Sequence, residues 1–260
     1  MPFSRLLHLT FFVGDSKPFY VDILIAWWYN IKKINNGDVT MKFRDINYII
    51  KYPENFDESK KYPTILFLHG AGGRGNDIEK VKNNPFFTLT KSHKDFEFAV
   101  FAPQCSTNTW FDLFEQLEEF AEFISKQSYV DSEKLYCMGP SMGGYATWQL
   151  AMSKPELFAA VVPICGGGMY WNAGRLANMG VWAFHGGKDN VVFCEESKKM
   201  VDAVNNSGGT AKLTLYPEAM HDSWTATYEN RDVFNWLLKH KLHDSKASDS
   251  DEYNDSKIYG

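Results

Sequence analysis

Short apolar runs alternate with longer polar or amphipathic stretches between about residue 43 and residue 240. The runs are rich in β-branched and aromatic residues, and such continuous apolar segments are typical of strands that are buried on both faces of a sheet. The pattern predicts strands at 47–52, 64–68, 98–102, 134–138, 159–164, 181–185 and 212–216.

Helices are predicted between several of these strands. Residues 111–127 carry apolar side chains at the 3.6-residue spacing of an amphipathic helix. Further helices are predicted at 142–154, 195–205 and 229–240. Repeated strand and helix units with helical crossovers predict an α/β fold with a mostly parallel central sheet and helices on both faces. In such sheets ligands bind at the carboxyl ends of the strands.

The two ends of the chain do not follow this pattern. Residues 19–31 are strongly apolar, but Asp22 interrupts the run, and it is shorter than the roughly 20 residues of a membrane-spanning helix. A signal peptide is disfavoured because no small-residue cleavage site follows. Residues 1–40 are therefore predicted to be an N-terminal appendage, either an extra helix or sequence outside the functional protein. The catalytic domain is predicted at 41–240, followed by a polar, disordered tail at 241–260.

Composition and charge exclude several classes of protein. The chain is 44% hydrophobic and 23% charged, which is an ordinary globular balance. Its net charge is −5 and no segment forms a basic stripe, so no nucleic-acid partner is predicted. The four cysteines show no metal-ligand spacing and no CxxC pair. We therefore predict buried free thiols, no metal, no cofactor and a cytoplasmic location, with secretion left open.

The strongest local motif is Gly139-Pro140-Ser141-Met142-Gly143, a G-x-S-x-G pattern between a predicted strand and a predicted helix. A sharp turn from strand to helix forces the serine into a strained backbone conformation, and the flanking glycines avoid collisions there. The turn exposes the Ser141 hydroxyl at the sheet edge, beside a helix N-terminus that stabilises negative charge. A structural glycine-rich turn is the alternative, but it would not require this placement.

A serine nucleophile needs a general base, and the base needs an acid that orients it. His221 and Asp189 each lie in a loop that follows a predicted strand, and they follow the serine in the chain order nucleophile, acid, base. His69 and His185 also follow strands, but their positions do not fit this order. Asp222 is a rival acid, although its position next to His221 is unsuited to binding that ring.

Two backbone amides are needed to stabilise the oxyanion of the reaction intermediate. The amide of Met142, directly after the nucleophile, is one predicted donor. The other is predicted at Ala71, in the loop His69–Gly75, where four glycines allow the backbone to approach a substrate closely. A phosphate-binding loop is the alternative, but the Gly-Lys-Ser/Thr of a P-loop does not follow.

Four segments, LFLHGAGGRG, GPSMGG, FHGGKDNVV and YPEAMHDSW, together resemble the α/β-hydrolase superfamily over roughly residues 43–240. The resemblance is strongest to the dienelactone-hydrolase-like and prolyl-oligopeptidase-like branch. That branch includes phospholipase/carboxylesterases and feruloyl and acetyl esterases. It implies the α/β-hydrolase fold. The family's triad and oxyanion positions match Ser141, Asp189, His221, Ala71 and Met142.

The resemblance also implies part of a substrate-binding surface. Gln104 and Trp110 belong to a segment that borders the site in such esterases, and Trp224, close to the candidate base, is a third candidate. The family usually has Leu or Phe where this chain has Pro140. No long insertion follows the strand predicted at 159–164, so no large cap domain is expected over the site.

These features together predict a serine esterase. The expected substrates are short acyl or aromatic esters, including the feruloyl and acetyl esters of plant polysaccharides, so the partner is a small-molecule or oligosaccharide ester. A serine peptidase on the same scaffold is disfavoured because prolyl-oligopeptidase-type enzymes normally carry a large extra domain. A non-catalytic binding protein is disfavoured by the complete triad. The sequence does not indicate an oligomeric state.

Overall fold

The computed structural model describes residues 39–93 and 95–242. The predicted appendage and the predicted disordered tail lie almost wholly outside these residues. The first strand, β1 (Val39–Phe43), begins two residues before Met41. The domain boundary at residue 41 therefore stays a prediction.

An eight-stranded sheet forms the centre of the described residues. After β1, its strands are β2 (Ile46–Lys51), β3 (Tyr62–Phe67), β4 (Ala99–Pro103), β5 (Val130–Pro140), β6 (Ala160–Ile164), β7 (Gly180–Gly186) and β8 (Lys212–Tyr216). The spatial order is β1-β2-β4-β3-β5-β6-β7-β8. Strand β2 is antiparallel to both β1 and β4, and the five other pairings are parallel. The mostly parallel α/β sheet predicted from the sequence is confirmed.

Helices and 3₁₀ segments connect the strands. The α-helices of the described residues are α1 (Glu79–Lys82), α2 (Pro85–Thr90), α3 (Phe114–Ser125), α4 (Met142–Ser153), α5 (Glu195–Asn206), α6 (Trp224–Glu229) and α7 (Arg231–Leu238). The 3₁₀ segments are Ala71–Gly73, Trp110–Leu113 and Tyr170–Leu176. Helix α6 was not predicted. It is followed by Asn230, whose side chain accepts the Asp232 N–H and caps the N-terminus of α7.

Two apolar layers cover the two faces of the sheet. Along β5, Leu135 and Cys137 belong to the layer that α3, α4 and α5 cover, while Tyr136 and Met138 belong to the layer beneath α2, α6 and α7. Successive strand residues point to opposite faces, so helices on both sides require continuous apolar strands. This arrangement explains the apolar runs in the sequence. All four cysteines are free and buried, as predicted.

None of the helices within residues 39–93 and 95–242 has the length and apolar content that crossing a bilayer requires.

Candidate functional site

Ser141 lies at the sharp turn between β5 and α4. Its backbone has φ 54° and ψ −119°, a conformation that costs a residue with a side chain about 1–3 kcal/mol. The Ser141 N–H donates to the Ile164 carbonyl at 2.8 Å, and the Ser141 carbonyl accepts the Tyr145 N–H at 3.0 Å. The sheet and the helix thus hold the strained turn from both sides, with the hydroxyl at the carboxyl end of the strands.

Glycines beside this turn allow its backbone to approach the segment that follows β3. A Cβ on Gly143 would lie 1.8 Å from the Leu68 carbonyl oxygen, and one on Gly139 would lie 2.2 Å from the same atom. A Cβ on Gly144 would lie 2.4 Å from the Ile164 carbonyl oxygen. Backbone crowding therefore requires glycine at these three positions, which is the physical origin of the motif.

Ser141, His221 and Asp189 form a hydrogen-bonded chain. The His221 Nε2 lies 3.0 Å from the Ser141 Oγ, and the Nδ1 lies 2.7 Å from the Asp189 Oδ2. The Asp189 Oδ1 accepts the backbone N–H groups of Val191 and Val192 at 2.9 and 3.0 Å. With the Nδ1 proton directed at the carboxylate, Nε2 is free to accept the proton of the serine. The structure thus brings together the three residues predicted as a triad.

The environment of Asp189 keeps its carboxylate ionised. Burial acts to raise the pKa of this carboxyl, but hydrogen bonds from His221 and from the two backbone N–H groups outweigh it, so the net pKa is lowered. The loops that carry the acid and the base are also tied to each other, since the Lys188 N–H donates to the Ala219 carbonyl at 2.9 Å. An ionised carboxylate in this position can stabilise an imidazolium.

His69 has a structural environment. Its Nε2 accepts the Cys105 N–H at 3.0 Å, and its Nδ1 lies 2.6 Å from the Gly70 carbonyl, to which it donates. Burial lowers the pKa of His69 to about 4, so the ring is neutral near pH 7. Both ring nitrogens are therefore used to hold the backbone around the glycine-rich loop.

The side chains of His185 and Asp222 also form hydrogen bonds with residues outside the predicted triad. The buried His185 ring has Nδ1 2.7 Å from the Ser197 Oγ and Nε2 2.9 Å from the Val192 carbonyl. Burial also lowers the pKa of His185. The Asp222 carboxylate accepts the N–H and the hydroxyl of Thr225, each at 3.0 Å. Sequence reasoning missed that His185 also lies 3.3 Å from the Asp189 Oδ2, where it flanks the candidate acid.

The two predicted oxyanion donors begin helical segments. Ala71 is the first residue of a 3₁₀ segment and Met142 is the first residue of α4. Backbone N–H groups in the first turn of a helix have no acceptor within the helix. A Cβ on Gly70 would lie 3.7 Å from the Ser141 Cβ, so the loop lies against the candidate nucleophile. The donor roles of Ala71 and Met142 remain predictions.

The predicted substrate contacts of Gln104 and Trp110 are wrong. Both side chains are buried. The Gln104 Nε2 donates to the carbonyls of Gly73 and Asp77 at 2.9 and 2.7 Å, and the Trp110 Nε1 donates to the His69 carbonyl at 3.0 Å. The Gln104 and Trp110 donors thus hold the glycine-rich loop in place, and these two side chains support the site through that loop.

A cleft of about 380 Å³ opens beside Ser141, a volume typical of small-molecule sites. Its walls include the loop 70–73, Pro140, Trp224 and Tyr228. The Trp224 indole meets the ring of the candidate base edge to face, with centroids 5.4 Å apart. Of the three predicted substrate-binding residues, Trp224 is the one that lines this cleft.

Large apolar side chains are exposed on the loops that follow β6, β7 and β8. Trp171 is 73% exposed, and Val191, Phe193 and Met220 are each more than half exposed. The loops that follow β7 and β8 also carry the candidate acid and the candidate base, respectively. The exposed apolar side chains of these two loops, Val191, Phe193 and Met220, are suited to the apolar part of a substrate. Trp171 lies outside the cleft wall.

Comparisons with known proteins match this chain to hydrolases. Residues 100–174 match the model of the prolyl oligopeptidase family. Dipeptidyl-peptidase 5 of Aspergillus fumigatus is 33% identical over 138 residues, which are 46% of this chain and 18% of that protein. A probable feruloyl esterase C of Aspergillus terreus is 25% identical over 181 residues, which are 67% of this chain and 66% of that protein.

A solved structure of a thermostable esterase superposes with a TM-score of 0.70 and 30% identity, covering 79% of this chain and 63% of that one. By contrast, the chain spans no more than about a third of the length of the first dipeptidyl-peptidases that it matches. The fold, the family match and these relatives show that the chain belongs to the α/β-hydrolase superfamily, in a serine hydrolase group with both esterase and dipeptidyl-peptidase relatives.

Proposed function

We propose that this chain is a serine esterase that hydrolyses short acyl or aromatic carboxylic esters through an acyl-enzyme on Ser141. The observation that carries the proposal is the hydrogen-bonded chain from the Ser141 hydroxyl through His221 to Asp189, which opens onto a cleft of small-molecule size. The substrate is a small-molecule or oligosaccharide ester.

In the proposed mechanism, Ser141 attacks the ester carbonyl while His221 Nε2 takes the hydroxyl proton. The backbone N–H groups of Ala71 and Met142 stabilise the oxyanion. His221, held by the ionised carboxylate of Asp189, then protonates the leaving alcohol. Water, activated by the same base, hydrolyses the acyl-enzyme and restores the serine.

The preference for esters over peptides is supported by how much of each relative the chain covers. It spans 66% of the feruloyl esterase C and 63% of the thermostable esterase. It spans only 18% of the dipeptidyl-peptidase 5 of Aspergillus fumigatus. A serine peptidase is the second candidate, because residues 100–174 match the prolyl oligopeptidase family model.

Two assays test this proposal. A fluorophosphonate probe should label Ser141, and an unlabelled protein would favour a non-catalytic binding protein. A panel of p-nitrophenyl esters of increasing acyl length, methyl ferulate and dipeptidyl anilides then ranks the substrates. We expect the highest kcat/KM for short acyl or aromatic esters. Higher values for the anilides or for long fatty-acyl esters would contradict the proposal.

The wall formed by Trp224 should affect aromatic substrates most. We expect Trp224→Leu to raise the KM for methyl ferulate about tenfold, because an aromatic pair contributes about 0.5–1.5 kcal/mol beyond the area that it buries. The KM for p-nitrophenyl acetate should change less. Trp171→Leu, at the exposed tryptophan outside the cleft wall, is the matched control and should leave both values near those of wild type. Equal effects of the two substitutions would contradict this role for Trp224.

We also propose a cytoplasmic location. The four buried cysteines are all free, and free thiols are the rule in a reducing compartment. Fractionation of the source cells would test the location, and recovery of the protein from the extracellular medium would contradict it.

A further inference from the structure

A buried thiol lies beside the candidate acid and base. Cys165 directly follows β6, has φ 39° and is fully buried. One ligand atom from each of Cys165, Asp189 and His221 lies within 4.8 Å of the others. The chain therefore places a sulfur, a carboxylate oxygen and an imidazole nitrogen together from three separate loops.

This set of donors suits a thiophilic divalent cation. Zinc binds thiolate, imidazole and carboxylate ligands at about 2.0–2.3 Å, so ligand atoms around one ion lie within about 4 Å of each other. The three atoms here need to approach by only about 1 Å to reach that separation. Three protein ligands leave the fourth tetrahedral position to a water molecule. A soft sulfur ligand disfavours Mg²⁺ and Ca²⁺, which prefer oxygen.

Two buried hydroxyls, those of Ser223 and Tyr228, lie close enough to Cys165 to interact with its sulfur electrostatically. Ser223 and Tyr228 are fully buried, and neither the Ser223 Oγ nor the Tyr228 hydroxyl has a nitrogen or oxygen hydrogen-bond partner. The Ser223 hydroxyl lies against the Cys165 sulfur, which is a weak acceptor. Buried hydroxyls are usually paired with protein or water. Here they offer polar partners for a water molecule that is bound to an ion at the cluster.

We propose that Cys165, Asp189 and His221 form an inhibitory site for a thiophilic divalent cation such as Zn²⁺ or Cd²⁺. On binding, the ion forms bonds to sulfur, oxygen and nitrogen, and the thiol proton passes to solvent. The imidazole binds as the neutral ring and keeps its one N–H on the nitrogen that does not coordinate. A metal-bound imidazole has its other nitrogen protonated and cannot accept the serine proton, and a metal-bound carboxylate no longer stabilises an imidazolium, so the bound enzyme is inactive. The inhibition rests on the proposed esterase function, whereas the binding does not.

The binding experiment uses the full chain carrying Ser141→Ala, which keeps all three ligands. Titration with Cd²⁺ is followed by calorimetry and by the ultraviolet absorption of the cadmium–thiolate bond. We expect this absorption to appear on titration. Adding Cys165→Ser should abolish it and weaken binding at least about tenfold. Cys194→Ser is the matched control, because Cys194 is also buried beside a carboxylate, that of Glu195, and it should leave binding unchanged.

The activity experiment adds Cd²⁺ or Zn²⁺ to the wild-type chain and to each cysteine variant, with Mg²⁺ for comparison. Each variant is compared with its own metal-free rate. We expect inhibition by the two thiophilic ions, and at least about tenfold weaker inhibition in Cys165→Ser. Equal inhibition of wild type and Cys165→Ser would overturn the inhibitory role.

A thiolate absorption that persists in Cys165→Ser would overturn the site itself. If that variant does not fold, His221→Gln tests the same site with the thiol intact and should also weaken Cd²⁺ binding at least about tenfold. Unchanged binding in His221→Gln would likewise overturn it. A wild-type chain that binds Cd²⁺ through Cys165 but hydrolyses no ester would contradict the esterase proposal and leave the metal site standing.

Discussion

Replacing Ser141 with alanine should lower kcat on p-nitrophenyl acetate by about 10⁴-fold or more, because the hydroxyl that forms the acyl-enzyme is lost. His221 and Asp189 remain in this variant, but neither can supply the missing nucleophile. The proposed oxyanion donors and the cleft remain as well, so the KM should change far less than kcat. Initial rates at saturating ester measure the effect.

The Ser141→Ala variant should stay folded, since alanine at the turn removes only the hydroxyl. Near-ultraviolet circular dichroism checks this point. Ser153→Ala is the control: Ser153 lies at the other end of α4, 12 residues from the turn, and its loss should leave kcat unchanged. The fluorophosphonate label should disappear from Ser141→Ala and remain on Ser153→Ala. Residual activity above a few per cent in Ser141→Ala would show that another group is the nucleophile.

The turn at Ser141 could be predicted from sequence because the proposed chemistry and the backbone packing both require the same residues at this turn. Glycine is required at 139 and 143 by the Leu68 carbonyl oxygen, and that requirement is visible as a motif. Chain order then separated His221 from His69. In the structure, the two ring nitrogens of His69 instead bind the Gly70 carbonyl, within the glycine-rich loop, and the Cys105 N–H, after β4.

The buried aromatic and amide side chains near the site could not be assigned in this way. The family resemblance implies that Trp110 and Gln104 border the site, but not which way their N–H groups point. Their partners are backbone carbonyls that are distant in the chain, so only the folded structure shows that they support the loop. Cys165 was missed as a neighbour of the triad for a related reason. Metal-ligand patterns are recognised by local spacing, and the three residues of the proposed site come from three loops.

The predicted secondary structure was likewise correct where the sequence carries a clear hydrophobic pattern and incomplete where packing in the folded protein decides. The seven predicted strands are all present, because burial on both faces produces long apolar runs. Strand β1 and the short helices α1, α2 and α6 were not predicted. Helices of one or two turns are stabilised by packing on the rest of the fold and show little periodicity of their own. Of these unpredicted elements, helix α6 has the largest effect on the candidate site, since it brings Trp224 and Tyr228 to the cleft.

Replacing Gly143 with alanine should lower the free energy of unfolding by about 3 kcal/mol or more. Two effects oppose each other at this helical position. Alanine has a helix propensity about 1 kcal/mol better than glycine. Its Cβ, however, would lie 1.8 Å from the Leu68 carbonyl oxygen, far inside any van der Waals contact. The Leu68 N–H also donates to the Met138 carbonyl at 2.9 Å, so the Leu68 backbone cannot shift without disturbing the hydrogen bonds of the sheet beside the turn.

Urea denaturation measures this loss as a lower midpoint, with the slope of the transition unchanged if the denatured state is the same. Gly72→Ala is the matched control, because a Cβ there would meet no atom within 4 Å. Its free energy of unfolding should stay within about 0.5 kcal/mol of wild type. A Gly143→Ala variant as stable as Gly72→Ala would mean that α4 can move away from β3, and the turn would then not be held by backbone crowding. If backbone crowding does hold the turn, Gly143→Ala pushes α4 away from β3. This displacement also moves Ser141 away from His221, so any Gly143→Ala protein that still folds should be nearly inactive.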